Sequence, residues 1–284
     1  MSTTATAADG LKIYISADME GLAGVVSGDQ LRPGGFEYER FRRILTGEVN
    51  ACIAAARSKG ATEFVISDSH GNGQNLLIEE LPEDVTIVRG HPRPLAMMQG
   101  IDSSFDAAIF IGYHASASST TGVRAHTMSS ANITDVRLNG IPISEGIMNA
   151  AMAGHFGVPV ILMTGDDAAI AETTSVIGDI NTATVKWASG FHSARTLTPQ
   201  AARALIAEQT SAALDRLDEF SVYTLKQPVS LRLTLKHYQP VELLSYLPGI
   251  DRVDSHTIAY VGDDLPDISR LLRVILEYRV DAQP

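Results

Sequence analysis

Five short, uninterrupted apolar runs dominate the first two-thirds of the chain: Lys12–Ala17, Glu63–Ser67, Thr86–Arg89, Ala107–Tyr113 and Val158–Thr164. A strand with one wet face must alternate apolar and polar residues, whereas a strand covered on both faces need not. The runs therefore predict strands buried on both sides, as in a parallel sheet. Between the first two, Phe41, Ile44, Leu45, Val49, Cys52, Ile53 and Ala56 recur at three- and four-residue steps. That spacing predicts an amphipathic helix over Tyr38–Ser58, stopped by Gly60. Strand, helix, strand in this order implies a right-handed parallel unit.

The last third has a different rhythm. Val229, Leu231, Leu233 and Leu235 alternate strictly with Ser230, Arg232, Thr234 and Lys236, the pattern of a one-faced, antiparallel strand. Thr198 and Pro199 read as an N-cap and first helical residue, opening a helix to about Leu217. Pro240–Leu247 and Pro266–Tyr278 are further helix candidates. The expected architecture is an α/β fold: a mostly parallel sheet flanked by helices, with a smaller α+β C-terminal region. The expected division is a disordered tail over 1–11, an α/β metal-binding catalytic domain over 12–190 and an α+β domain over 191–284, with a soft boundary near Ser189–Ser193.

Charge and cysteine content narrow the chemistry. The formal net charge is -11, which repels phosphate backbones and argues against nucleic acid as a partner. Cys52 is the single cysteine, so one chain can build neither an internal disulfide nor a thiolate metal cluster. The opening residues MSTTATAADG lack the basic start and apolar stretch of a signal peptide. No apolar run reaches the roughly 18 residues of a membrane span. The expectation is a cytoplasmic protein that engages no membrane.

Three of the apolar runs end on groups able to hold a metal. The first finishes in Asp18-Met19-Glu20. Residues i and i+2 of an extended chain point to the same side, so the two carboxylates face one space. They repel there unless a cation lies between them; the plain alternative is a polar strand end that caps the next element. The second run finishes in Asp68 and His70, and the fourth in His114. In open parallel sheets, ligand sites lie at the carboxyl edge of the strands, so three coincident placements point to a common site.

Beyond His114, a Ser/Thr/Gly loop leads to His126, which reads either as a surface histidine or as a catalytic group titrating near neutral pH. Glu145 then stands before a helix rich in Ala and Met, as a helix-start carboxylate or as a ligand. Histidine and carboxylate donors without thiolate suit Zn2+, with Mn2+ and Co2+ as alternatives. Asp18, Glu20, His70, His114 and Glu145 are more donors than one open catalytic zinc takes. They suit two ions if one carboxylate bridges.

Other candidates carry less. Asp68 either orients a histidine or caps a turn. Lys186 reads as a solvated lysine at a strand end rather than a substrate carboxylate holder. His91, in RGHPRP, reads as a surface or interface residue, and His155, His192, His237 and His256 have no partner motif. Gly71–Gly73 lacks the lysine of a phosphate loop. Trp187 reads as packing, and Gly165-Asp166-Asp167 as a turn or helix start.

SADMEG (Ser16–Gly21), DSHGNGQN (Asp68–Asn75), GYHA (Gly112–Ala115), AHTM (Ala125–Met128) and PISEGIMNA (Pro142–Ala150) occur in the same order as in the DppA-like D-aminopeptidases, the M55 family of zinc peptidases. The chain resembles that family from about Lys12 onward, most densely through Lys186. The resemblance implies an α/β two-zinc aminopeptidase acting on short peptides, with D-residues at their N-terminus, assembled as a ring-like homo-oligomer, a decamer. It places the metal ligands on Asp18, Glu20, His70, His114 and Glu145, and the catalytic histidine on His126. Two other readings share the donor set: a two-metal phosphoesterase, for which Arg124 is the nearby cation, and a metal-stabilised, non-enzymatic oligomeric binding protein.

Overall fold

The computed structural model describes residues 10–280. The expected tail over 1–11 lies outside the described residues as far as residue 9, and Leu11 already opens the first strand. In chain order the strands are β1 (Leu11–Ala17), β2 (Ala61–Asp68), β3 (Thr86–Val88), β4 (Ala107–Tyr113), β5 (Ile133–Leu138), β6 (Ile141–Pro142), β7 (Val160–Asp166), β8 (Asn181–Gly190), β9 (Ser193–Thr196), β10 (Val229–Leu235), β11 (Ile250–Arg252) and β12 (Thr257–Gly262). The helices are α1 (Tyr38–Ser58), α2 (Glu145–His155), α3 (Asp167–Ile177), α4 (Pro199–Asp215), α5 (Tyr238–Leu244) and α6 (Leu265–Glu277). No helix of the described residues is long and apolar enough to cross a membrane.

Seven strands form one sheet in the order β3-β2-β1-β4-β7-β8-β9, parallel except for β9. The chain leaves β1 for β2 and β3 on one side, then returns to lay β4 on the other. That reversal opens a crevice beyond the carboxyl ends of β1 and β4, where open α/β sheets bind ligands. Ile13, Ile15 and Ala17 of β1 point to one face and pack with Val49, Cys52 and Ile53 of α1 and Ala202 and Ile206 of α4. Tyr14 points to the other, with Phe110, Tyr113 and the apolar residues of α2. Both faces are covered, which is why these strands are apolar throughout. A buried Ile truncated to Ala in such a layer costs about 2–5 kcal/mol.

The remaining five strands form an antiparallel sheet in the order β11-β12-β10-β5-β6. The strictly alternating run is its central strand, β10, with Val229, Leu231, Leu233 and Leu235 buried. Their inner face joins α2 and α6 in the core that also covers Tyr14. Residue 190 is not where the chain divides between the sheets. β5 and β6, from before it, pair on the second sheet, and α4, from after it, packs in the core that holds α1. The physical reason is that β10 needs a partner on each edge, and β5 supplies one from long range.

Candidate metal centre

The crevice is narrow because β1 and β4 remain locked past their ends. Asp18 N donates to the Ile111 carbonyl (2.8 Å) and Gly21 N to the Gly112 carbonyl (2.7 Å). Glycine is required on both sides of this contact. A Cβ at Gly21 would overlap the Tyr113 carbonyl oxygen, and one at Gly112, where φ is +75°, would overlap that of Asp18. Asp18 and Glu20 follow β1, His70 follows β2, and His114 follows β4. Glu145 is the first residue of α2, whose N-cap Ser144 accepts from Ile147 N. All five, with His126, line one cavity of about 150 Å³.

The two imidazoles nearest the carboxylates are held alike. His70 Nε2 donates to the Leu31 carbonyl (2.7 Å), which turns Nδ1 toward Glu20 Oε2 (2.8 Å) and Asp18 Oδ1 (3.2 Å). His114 Nδ1 donates to the Ala115 carbonyl (3.0 Å), leaving Nε2 3.4 Å from both Asp18 Oδ2 and Glu145 Oε2. His114 Nε2 and Asp18 Oδ2 are buried without a hydrogen-bond partner. A ring nitrogen tied to a backbone carbonyl behind, with its other nitrogen aimed at carboxylates, is the arrangement that orients metal-ligating histidines. Buried polar atoms are rarely left unpaired, and a cation shared among these atoms would satisfy them together. The donor set thus fits divalent zinc.

Electrostatics agree with a site built for positive charge. Burial pushes the Asp18 carboxyl up to about 7, reinforced by the neighbouring Glu20. Burial opposes ionisation of Glu20 too, yet the adjacent His70 holds it well below the usual carboxylate range. Burial works against the charge on His114, but Glu145 and Asp18 raise it to about 10. The carboxylates therefore draw protons onto the imidazoles, and a metal cation would bind by replacing them.

His126 stands against this group. Its ring stacks on His114 with centroids 4.1 Å apart and planes 4° from parallel. Nδ1 donates to the Arg124 carbonyl (2.9 Å), and Nε2 lies 4.0 Å from Glu145 Oε1. Burial, and then the charge on His114, lower its pKa below the ordinary value. His114, His126 and Glu145 bring one donor atom each within 4.8 Å of one another, as do Asp18, Glu20 and His114. Asp166 braces the loop, capping α3 through Ala169 N (2.7 Å) and accepting from Val123 N (2.8 Å). The Gly165-Asp166-Asp167 segment is thus a helix start.

Several residues fall elsewhere than their sequence context suggests. Lys186 is fully buried rather than solvated, and Nζ donates to the Glu20 and Val25 carbonyls, the latter at 2.8 Å. It ties down the segment carrying Glu20 from behind. Burial draws its pKa down to about 8 against the opposing charges of Asp166 and Glu20. Asp68 does not touch the His70 ring; it accepts from Asn75 N (2.6 Å) and Leu76 N (2.8 Å), pinning the following loop. Arg124 lies over Phe191, outside the cavity lining, whereas His91 and Arg273 line it. Arg273 comes from α6, far along the chain, and no local motif marks it.

The family described as D-aminopeptidase, Peptidase M55, matches residues 11–274. A D-aminopeptidase of Bacillus subtilis (strain 168) is 34% identical over 271 residues, which are 94% of this chain and 97% of that protein. A solved structure, the Zn-dependent D-aminopeptidase DppA from Bacillus subtilis, described as a self-compartmentalizing protease, matches with a TM-score of 0.91 and 32% identity. That match covers 96% of this chain and 99% of the other.

Proposed function

The chain belongs to the Peptidase M55 family of D-aminopeptidases, and from that premise we propose that it is a zinc-dependent aminopeptidase releasing an N-terminal D-residue from short peptides. The observation that carries the site assignment is the pair of histidines, each tied behind to a carbonyl and each facing carboxylate oxygens. Asp18 stands between the two halves, with Oδ1 toward His70 and Oδ2 toward His114. In this reading Asp18, Glu20, His70, His114 and Glu145 would hold two Zn2+ ions, with Asp18 placed to serve both halves of the site. Mn2+ and Co2+ accept the same donors. When bound, the ions supply Lewis-acid chemistry, polarising a carbonyl oxygen and making water acidic enough to ionise near neutral pH.

The protein's own groups do the remaining work. Asp18, Glu20 and Glu145 line the cavity, and a carboxylate oxygen not engaged by an ion can accept from a free substrate ammonium group, which would account for action at the chain end. His126 is the proton carrier. With Nδ1 committed to the Arg124 carbonyl, Nε2 is the atom that exchanges a proton with the attacking water and then with the leaving amine. Its lowered pKa leaves it unprotonated, and so ready to accept, at neutral pH. His126 and Met128, which follow the loop, and Arg273 of α6 line the site.

Two measurements test this. Metal analysis, followed by assay of a D-alanyl peptide, its L-isomer and a phosphomonoester side by side, should show zinc and turnover of the D-peptide. Phosphomonoester turnover alone would transfer the site to a phosphoesterase, and zinc without turnover to a binding protein. Replacing His126→Ala should remove turnover, by roughly 100-fold or more, while zinc content stays intact; loss of zinc would instead make His126 a ligand. The self-compartmentalizing description of the solved relative supports a homo-oligomer for this chain, and we propose the ring-like decamer that the family resemblance implies. Sedimentation at working concentration checks it, and a monomer would end that part of the reading.

A further inference from the structure

We propose that Arg273 binds the free C-terminal carboxylate of the substrate, making the enzyme selective for peptides short enough to reach it. This assignment rests on the aminopeptidase reading of the carboxylate and histidine cluster. Among the described residues lining the cavity, Arg273 is the only arginine or lysine. Its helix, α6, buries Leu265, Ile268 and Leu272 in the core, and Ser269 Oγ donates to the Pro94 carbonyl (2.9 Å), so the arginine is carried on a fixed wall.

The guanidinium is only partly used. Nη1 donates to Glu277 Oε1 (2.8 Å), Nη2 meets only the Met128 sulfur (3.3 Å), and Nε is buried with no partner. Nε and Nη2 form the edge that grips a carboxylate with two parallel hydrogen bonds. A thioether is a weak acceptor, so a substrate carboxylate that displaces the Met128 sulfur would meet an edge with no stronger partner. Met128 also fixes the distance to the chemistry, since its backbone N donates to Glu145 Oε1 (2.6 Å). One residue therefore separates the free arginine edge from the proposed metal cluster. The cavity they share is small, about 150 Å³, the volume that holds a benzene-sized group, so the cluster and Arg273 lie within the span of one small substrate and a longer chain overruns it. The cluster takes the amino end and scissile carbonyl, and Arg273 takes the carboxyl end.

The bland alternative is that Arg273 serves only its ion pair with Glu277. The zinc-loaded enzyme is therefore assayed on D-alanyl-D-alanine and on its C-terminal amide, which removes the negative charge and keeps the shape. The wild type should favour the free acid by roughly 10- to 100-fold in kcat/KM, the range of a charge-assisted hydrogen-bond pair. Arg273→Gln should erase that preference through KM on the acid, cost the amide far less than the acid, and be partly rescued by Arg273→Lys. Equal wild-type turnover of acid and amide overturns the proposal without needing any variant, as does an equal loss on both substrates in R273Q. Turnover of neither substrate by the wild type would mark failure of the aminopeptidase reading itself.

Discussion

Glu48 lies in the interior of α1 with no solvent exposure. Oε1 accepts from Ala23 N (3.3 Å) and Oε2 has no partner. Burial raises its carboxyl from 4.5 to about 7, although the Ala23 amide and the charge of Lys186 pull the other way. At about 1.4 kcal/mol per tenfold change in acidity, ionising Glu48 in the folded protein costs about 3 kcal/mol more than in the unfolded chain. The sign follows from proton counting. Between pH 4.5 and 7 the folded state holds a proton that the unfolded state has released. Glu48 therefore contributes stability that is fully present below 4.5 and lost as pH rises through about 7. Glu48→Gln preserves the acceptor for Ala23 N and cannot ionise. Relative to wild type, it should gain up to about 3 kcal/mol between pH 4.5 and 8. Urea unfolding of both proteins across that range, at matched protein concentration and zinc load, reads the difference. A difference between variant and wild type that stays constant with pH would refute the account, because it would mean Glu48 keeps an ordinary carboxyl inside the fold.

Three further outcomes test the architecture of the site. Asp18→Asn keeps the shape but removes the charge between His70 and His114; zinc content should fall on both sides of the site, and a variant retaining full zinc and turnover would remove Asp18 from the bridging role. Gly112→Ala must accommodate a positive φ and an overlap with the Asp18 carbonyl; thermal unfolding should report a loss of about 2–4 kcal/mol, and an unchanged midpoint would show that β1 and β4 are not locked there. Lys186→Met removes two charged hydrogen bonds, about 3–6 kcal/mol together. It also releases a buried ammonium whose pKa falls from 10.5 to about 8, returning about 3 kcal/mol. Stability should therefore drop by at most about 3 kcal/mol, and zinc affinity, measured by chelator competition, should fall because Glu20 loses its backbone anchor. Unaltered zinc affinity would limit Lys186 to packing.

Much of the centre was legible along the chain because its parts obey local rules. Asp18 and Glu20 share a side by the two-residue repeat of extended backbone, and His70 and His114 follow apolar runs that are β2 and β4. The α1 helix ran from Tyr38 to Ser58, as its spacing implied. β5 and β8 were harder to see. β5 mixes Thr134, Asp135 and Arg137 among its apolar residues, and β8 carries Lys186 in its middle. In each, a polar side chain finds its place through a partner distant in sequence, which local periodicity does not report.

Sequence alone determined the side chains available for chemistry and the strand ends they would occupy, since residue type and periodicity are properties of a few neighbours. Tertiary structure decided that β1 lies between β2 and β4, which alone brings Asp18, His70 and His114 within a few ångström. It also decided which nitrogen of each histidine faces inward, that Lys186 is buried beneath Glu20, and that Arg273 reaches the cavity from α6. Strand order and side-chain convergence depend on contacts between residues tens to hundreds of positions apart, and only the folded chain satisfies them together.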